Sequence, residues 1–144
     1  VNVPDFVAVH APGCRRGFGE CSSIGFTDNS RLVAGIVYHN WNPDAAVIEI
    51  SAASICRKWL TKKRLTEIFS YPFKQLNCQM CVARVSERNT RTRRIWRSLG
   101  ADEHLIPRLR GRSEAEIIFT LTHEKWLSFE NRMNYGKTQS ANAA

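Results

Sequence analysis

The chain has 144 residues, 43% of them hydrophobic and 24% charged, the proportions of one soluble domain with its own core. A chain of this size buries about 70% of its unfolded surface, so the fold does not depend on disulfides or a structural metal. The formal net charge of +8 points to a polyanionic partner: nucleic acid, an anionic surface or a phosphate-rich cofactor.

No apolar run reaches the ~18 residues of a membrane span. Asp5, His10 and Arg15 break up any leader-like stretch, so a cytoplasmic protein is expected and no membrane partner. Five cysteines are an odd number in a domain of this size, which argues for a reducing compartment. Cys78 and Cys81 form a C-x-x-C, whose members a strand would turn to opposite faces. Cys14 and Cys21 have six residues between them and no His pair nearby. Small buried thiols are therefore expected rather than a zinc site.

Residues 1–23 are punctuated by Pro4, Pro12, Gly13, Gly17 and Gly19, and Phe6, Val7 and Val9 form a short strand or a short helix. A strand at 23–27, the turn cluster Asp28-Asn29-Ser30 and a strand at 32–38 read as a hairpin. A second turn at Trp41-Asn42-Pro43-Asp44 leads to a strand at 46–51. The period then changes: Leu65, Ile68 and Phe69 sit at helical spacing, and Pro72 ends or kinks that helix near Tyr71. A strand at 78–85 precedes a helix at 88–98, whose inward face is Thr92, Ile95, Trp96 and Leu99. Ser86 is its expected N-cap and Gly100 its stop. Strands at 104–109 and 116–122 flank a turn at Gly111-Arg112-Ser113. One domain over 1–137 and a disordered polar tail over 138–144 are expected.

Four stretches carry a family resemblance: Tyr71-Pro72-Phe73, the strand at 81–85, Asn89-Thr90-Arg91-Thr92, and Leu99-Gly100-Ala101, with the closing IIFTLTHEKW at 117–126. Together, over about residues 23–127, the chain resembles the GNAT (N-acetyltransferase) superfamily, particularly its phage-encoded and ribosomal-protein-acetylating branches. Ala101 departs from the family's usual Phe. The resemblance implies an α/β (α+β) fold: a mixed, mostly antiparallel central sheet with helices on both faces and a V-shaped splay between the fourth and fifth strands. It also implies a cofactor, acetyl-CoA (or CoA), lying in that splay. Its pyrophosphate would rest on backbone N–H groups opening the first long helix, where free amides and the helix dipole attract phosphate.

The family's R-x-x-G-x-G/A turn falls on residues 56–61, where Trp59 and Thr61 stand at the two small-residue positions. Two readings follow. The amides of Trp59, Leu60, Thr61 and Lys62 cradle phosphate with charge from Arg57 and Lys58, or the Trp59 ring fills the site. Arg93 belongs to a basic cluster on the second helix, near where the family places the adenine nucleotide. Asn89 matches a position beside the pantetheine arm and also suits a helix cap. Ser51 and Ser54 are placed to offer hydroxyl contacts near the thioester. Glu49 is the expected catalytic base, on the sheet face opposite Ile48 and Ile50, with His39 as a second candidate acting through water. Trp96 occupies the place where many members keep a tyrosine acid.

The function expected on this resemblance is an acyl-CoA-dependent N-acyltransferase, acetyl in the first instance, acting by direct transfer on a small-molecule or protein amine. A homodimer is a further expectation. Two alternatives stay open: a catalytically degenerate GNAT-like protein, phage-derived, that binds CoA or a macromolecular partner, and a basic nucleic-acid-binding module.

Overall fold

The computed structural model describes residues 2–11, 13, 14 and 16–143, with side chains up to residue 135. The elements run α1 (Val3–His10), β1 (Cys21–Asp28), β2 (Arg31–Asn42), β3 (Val47–Ser54), α2 (Lys62–Ser70), a π-helical turn (Tyr71–Gln75), β4 (Met80–Ser86), α3 (Thr90–Ser98), β5 (Asp102–Gly111), β6 (Glu114–Thr122) and α4 (His123–Ala143). The six strands make one sheet in the order β1-β2-β3-β4-β6-β5. Among the described residues only β3 and β4 pair in parallel; every other neighbour is antiparallel. No described helix is long and apolar enough to cross a membrane.

The segment around Phe6 is a helix. Asn2 caps it by accepting from the Asp5 amide at 3.0 Å, and Phe6 and Val7 are buried. With no strand there, the splay expected between the fourth and fifth strands falls between the third and fourth. The β1–β2 hairpin turns on Asn29 and Ser30, both at positive φ, the left-handed pair that a two-residue hairpin loop requires.

Alternation along β2 builds two cores. Ala34, Ile36 and Tyr38 enter the larger one, with Leu65, Ile68 and Phe69 of α2, Trp96 and Leu99 near the end of α3, and Trp126 of α4. Phe69 is its hub, with its ring centroid 4.6 Å from Trp126 and 5.9 Å from Trp96. Each such side chain contributes about 1.5–3 kcal/mol of burial. Val37 faces the other way, against Phe6 and Val7. A Cβ on Gly35 would lie 2.8 Å from Val7 Cγ2, so this glycine lets α1 rest directly on β2.

Pro72 ends α2 as expected: the helix stops at Ser70 and the chain continues as a π turn, in which the Leu76 amide bonds Tyr71 O at 3.1 Å, because proline offers no N–H of its own. Other expectations are corrected. Asn89, not Ser86, caps α3, by accepting from the Thr92 amide at 3.2 Å; Ser86 instead accepts from the Arg88 amide at 3.1 Å. β4 begins at Met80, so Cys78 precedes the strand and shares one core with Cys81. Beyond Trp126 the chain continues as α4 to Ala143; the side chains of the tail expected at 138–144 lie outside the described residues.

Candidate active site

The parallel ladder between β3 and β4 holds for three pairs, Val47–Met80, Ile48–Cys81 and Glu49–Val82, and then stops. Past it, the facing edges of β3 from Ile50 to Ser54 and of β4 from Ala83 to Ser86 have no strand partner among the described residues. Four consecutive small side chains, Ser51-Ala52-Ala53-Ser54, leave the gap unfilled. On the helical face a cleft runs between β3, α2 and α3. It shares Ile50, Ala52, Thr92 and Trp96 with the wedge inside the gap. The wedge in turn shares Cys14, Ser51, Arg84 and Arg110 with a cavity of about 590 Å³ on the α1 face. The cleft, the wedge and the cavity thus share lining residues in series from one face of the sheet to the other.

On the α1 face, His39 and Glu49 pair across β2 and β3, so both point to one face. His39 Nε2 is 2.9 Å from Ser51 Oγ and 3.6 Å from Glu49 Oε2. A bulge in β2 between His39 and Asn42 puts Asn40 at a φ of 51°, a conformation asparagine tolerates. From there its amide donates to Glu49 Oε1 at 3.0 Å. His39 is only 8% exposed, with Phe18 edge-on at 4.9 Å. Burial holds its imidazole below the ordinary value, and the Glu49 charge opposes this in part. The Cys14 thiol, also at this site, is pushed up by burial against a lowering hydrogen bond from Ser51.

At the other end lies the turn before α2. The Trp59 indole is 6% exposed and packs 5.7 Å from the Phe26 ring within the larger core. Arg64 fastens the turn, donating to Trp59 O at 2.8 Å and to Asp28 Oδ1 at 2.7 Å. Thr61 caps α2 by accepting from the Arg64 amide at 3.2 Å, while the amides of Lys62 and Lys63, the first two of the helix, receive no such partner among the described residues. Arg57, Lys58, Thr61, Lys62 and Lys63 are exposed or half-buried at the rim, and Leu60 is half-buried. Arg91 of α3 donates to Arg57 O, which ties the second helix to this turn.

Neither a family model nor a curated protein matches the chain. Solved structures do. A candidate acetyltransferase from T. thermophilus superposes with a TM-score of 0.69 at 17% identity, over 81% of this chain and 66% of that one. SpeG, the spermidine/spermine N-acetyltransferase of Vibrio cholerae, superposes with a TM-score of 0.67 at 14% identity, over 76% and 69%. The chain has the GNAT fold. It spans about two thirds of the length of these structures.

The GNAT cleft fits coenzyme A in two respects. Its wedge is walled by Ile50, Ala52 and Trp96, apolar surface for a pantetheine arm, and its outer end offers the first amides of α2 among exposed cations. The structure places Ser51 and Asn89 in the wedge wall, and Trp59 and Leu60 along the cleft on the helical face. Arg93 is turned aside, donating from Nη1 to Glu87 O at 2.8 Å, and does not line the cleft or the wedge. Trp96 lines both.

Sequence reasoning missed Asn40, Cys14, Arg84, Arg110 and Glu116. The positive φ of Asn40 leaves no periodic mark. The other four come from four separate segments that only the sheet order brings together.

Proposed function

We propose that the chain is an acyl-CoA-dependent N-acyltransferase, acetyl in the first instance, that acts on a primary amine by direct transfer. One observation carries this reading: the β3–β4 ladder stops after Glu49–Val82, with Trp59 and Leu60 of the turn before α2 lining the cleft on one face of the sheet and His39, Glu49 and Ser51 lining the cavity on the other. Acyl-CoA would supply an acyl carbon activated as a thioester, to which the amine nitrogen bonds as the C–S bond breaks and the sulfur keeps its electron pair.

The chain's own residues account for the rest. The unpaired edges of β3 and β4, with Asn89, would hold the pantetheine amides. The amides opening α2, with Arg57, Lys58 and Lys62, would hold the phosphates. Glu49 attracts an ammonium to the α1 face. His39, kept neutral by burial, takes the proton at Nε2, and Ser51 sets the plane of the ring. Trp96 walls the wedge on the side of the cleft. Its indole N–H donates a hydrogen bond but does not surrender a proton, so no side-chain acid stands at that position. The free thiols suit a cytoplasmic setting.

The same Trp96 favours one competing reading, a CoA-binding protein without catalysis. Two measurements separate them. Acetyl-CoA is expected to raise the melting temperature, because it binds only the folded state, and thiol release is expected on adding primary amines. A rise without thiol release supports the non-catalytic reading; no rise at all sinks both.

A further inference from the structure

Four residues line both the wedge between the strands and the cavity on the α1 face: Cys14, Ser51, Arg84 and Arg110. The two arginines are already committed. Glu116 of β6, whose side chain is only 3% exposed, accepts from Arg84 Nε at 2.8 Å and from Arg110 Nε at 3.1 Å. The other two shared residues bring a hydroxyl and a thiol, and these are hydrogen-bonded to each other. Ser51 Oγ also stands 2.9 Å from His39 Nε2. Thiol, hydroxyl and imidazole therefore form a chain of contacts that starts in the wedge and ends at the candidate base.

The fold fixes the thiol in place. The Cys14 amide donates to Ala11 O at 3.4 Å, at the end of α1, and its carbonyl accepts from the Gly17 amide at 3.0 Å. Beside it Gly13 has a φ of +81°, and a Cβ there would lie 2.9 Å from Arg110 Nη1. Arg110 thus packs on bare backbone that only glycine provides, and its own guanidinium is held by Glu116 and by Arg84 O, the latter at 3.1 Å. A departing thiolate gains from a proton donor. Trp96 of the same wedge has an indole N–H, which gives a hydrogen bond and no proton. Burial raises the Cys14 thiol above its ordinary value, against the Ser51 hydrogen bond and the Arg110 charge and with Glu49 adding to the rise, so the thiol keeps its proton at neutral pH. Passing that proton to an alkyl thiolate of similar basicity, the group that leaves an acyl-CoA, needs no large uphill step.

We propose that Cys14 is the proton donor to the departing CoA sulfur, and that His39 restores its proton through Ser51. The inference rests on the transferase reading above. As the C–S bond breaks and its electron pair stays on the CoA sulfur, the Cys14 S–H bond breaks and its proton joins that pair. The Ser51 hydroxyl then gives its proton to the Cys14 sulfur. His39 Nε2, holding the proton taken from the amine, gives it to the Ser51 oxygen. All three side chains return to their starting states, and the net result is a proton moved from the amine to the CoA thiol. Cys14 is thereby a catalytic residue beside the reacting sulfur, and Ser51 positions it and connects it to the base.

The test uses the full chain and has one arm without chemistry. CoA at ten times its dissociation constant is expected to slow alkylation of Cys14, followed by mass spectrometry, about tenfold by mass action, while Cys21 keeps its rate. In the second arm, with acetyl-CoA and a primary amine, Cys14→Ala is expected to lower kcat about 10²-fold, the low end for acid–base help because a thiolate also leaves unaided. KM for acetyl-CoA should stay unchanged, the mark of a contact made only in the transition state. Cys14→Ser keeps the size and replaces the thiol by a far weaker acid; it is measured beside the alanine variant and is expected to show the same loss. Ser51→Ala should lose kcat in the same way, and Ser51→Thr, which keeps the hydroxyl, should recover most of it. Alkylation of Cys14 that ignores CoA, a kcat within a few-fold of the natural protein's in both Cys14 variants or in Ser51→Ala, or a loss expressed in KM instead of kcat overturns the proposal and leaves the transferase reading standing. No thiol release by the natural protein with any primary amine overturns both.

Discussion

His39 Nε2 stands 2.9 Å from the Ser51 hydroxyl and 3.6 Å from a Glu49 oxygen, so one ring nitrogen on β2 answers to two side chains of β3. Burial disfavours the imidazolium there, and Glu49 restores only part of the loss. In the unfolded chain the ring titrates near 6.5. Between that value and the lower folded one, the unfolded state binds more protons, so stability falls as the pH drops through the window. Thermal melts from pH 7 to pH 5 are expected to fall more steeply for the natural protein than for His39→Gln. The acid limb of kcat/KM should lie below 6.5 and vanish in the variant. An acid limb at or above the ordinary imidazole value would remove His39 from the role of base.

Glu49→Gln keeps the shape of the side chain and removes its charge. The imidazole then loses the carboxylate that favours its charged form and its pKa drops further, moving the acid limb of kcat/KM to lower pH. The kcat/KM for the amine should fall by about 10- to 10²-fold, the worth of a charge-assisted contact to its ammonium. A rate within a few-fold of the natural protein's would leave Glu49 a solvated strand residue.

Trp59 distinguishes a core residue from a plug. Its indole packs on Phe26 among the buried side chains, so Trp59→Ala should cost about 3–5 kcal/mol by urea unfolding. Trp59→Phe should cost less and still respond to acetyl-CoA in a melting assay. An alanine variant of unchanged stability that binds acetyl-CoA more tightly would show that the ring obstructs the phosphate end.

Asn89 carries two roles that one substitution can separate. Its carbonyl oxygen caps α3 through the Thr92 amide, a contact aspartate reproduces. Asn89→Ala is expected to cost about 1 kcal/mol of stability. Asn89→Asp should hold stability but weaken acetyl-CoA binding about tenfold, since a carboxylate cannot donate to pantetheine and repels the phosphates. Equal affinity for the aspartate variant and the natural protein would reduce Asn89 to a cap.

The elements that could be read in advance were those whose signal is local. The left-handed Asn29-Ser30 turn, the helical spacing of Leu65, Ile68 and Phe69, and the stop at Gly100 each write their structure within a few residues. α1 was ambiguous because its eight residues hold only about two helical turns, too few for the period to stand out. α4 escaped notice because its apolar residues beyond Trp126 are sparse, and its anchor is Trp126 against Phe69.

Sequence by itself determined the alternation that puts Glu49 and Ser51 on one face of β3, because side-chain direction in a strand follows from position alone. It also settled the run of small residues that cannot fill a gap. Where that gap opens, which way the Trp59 ring turns, and the meeting of Arg84, Arg110 and Glu116 were decided by the sheet order and by packing. Those contacts join segments far apart in the chain, and no local pattern records a distance between residues that only the folded core brings together.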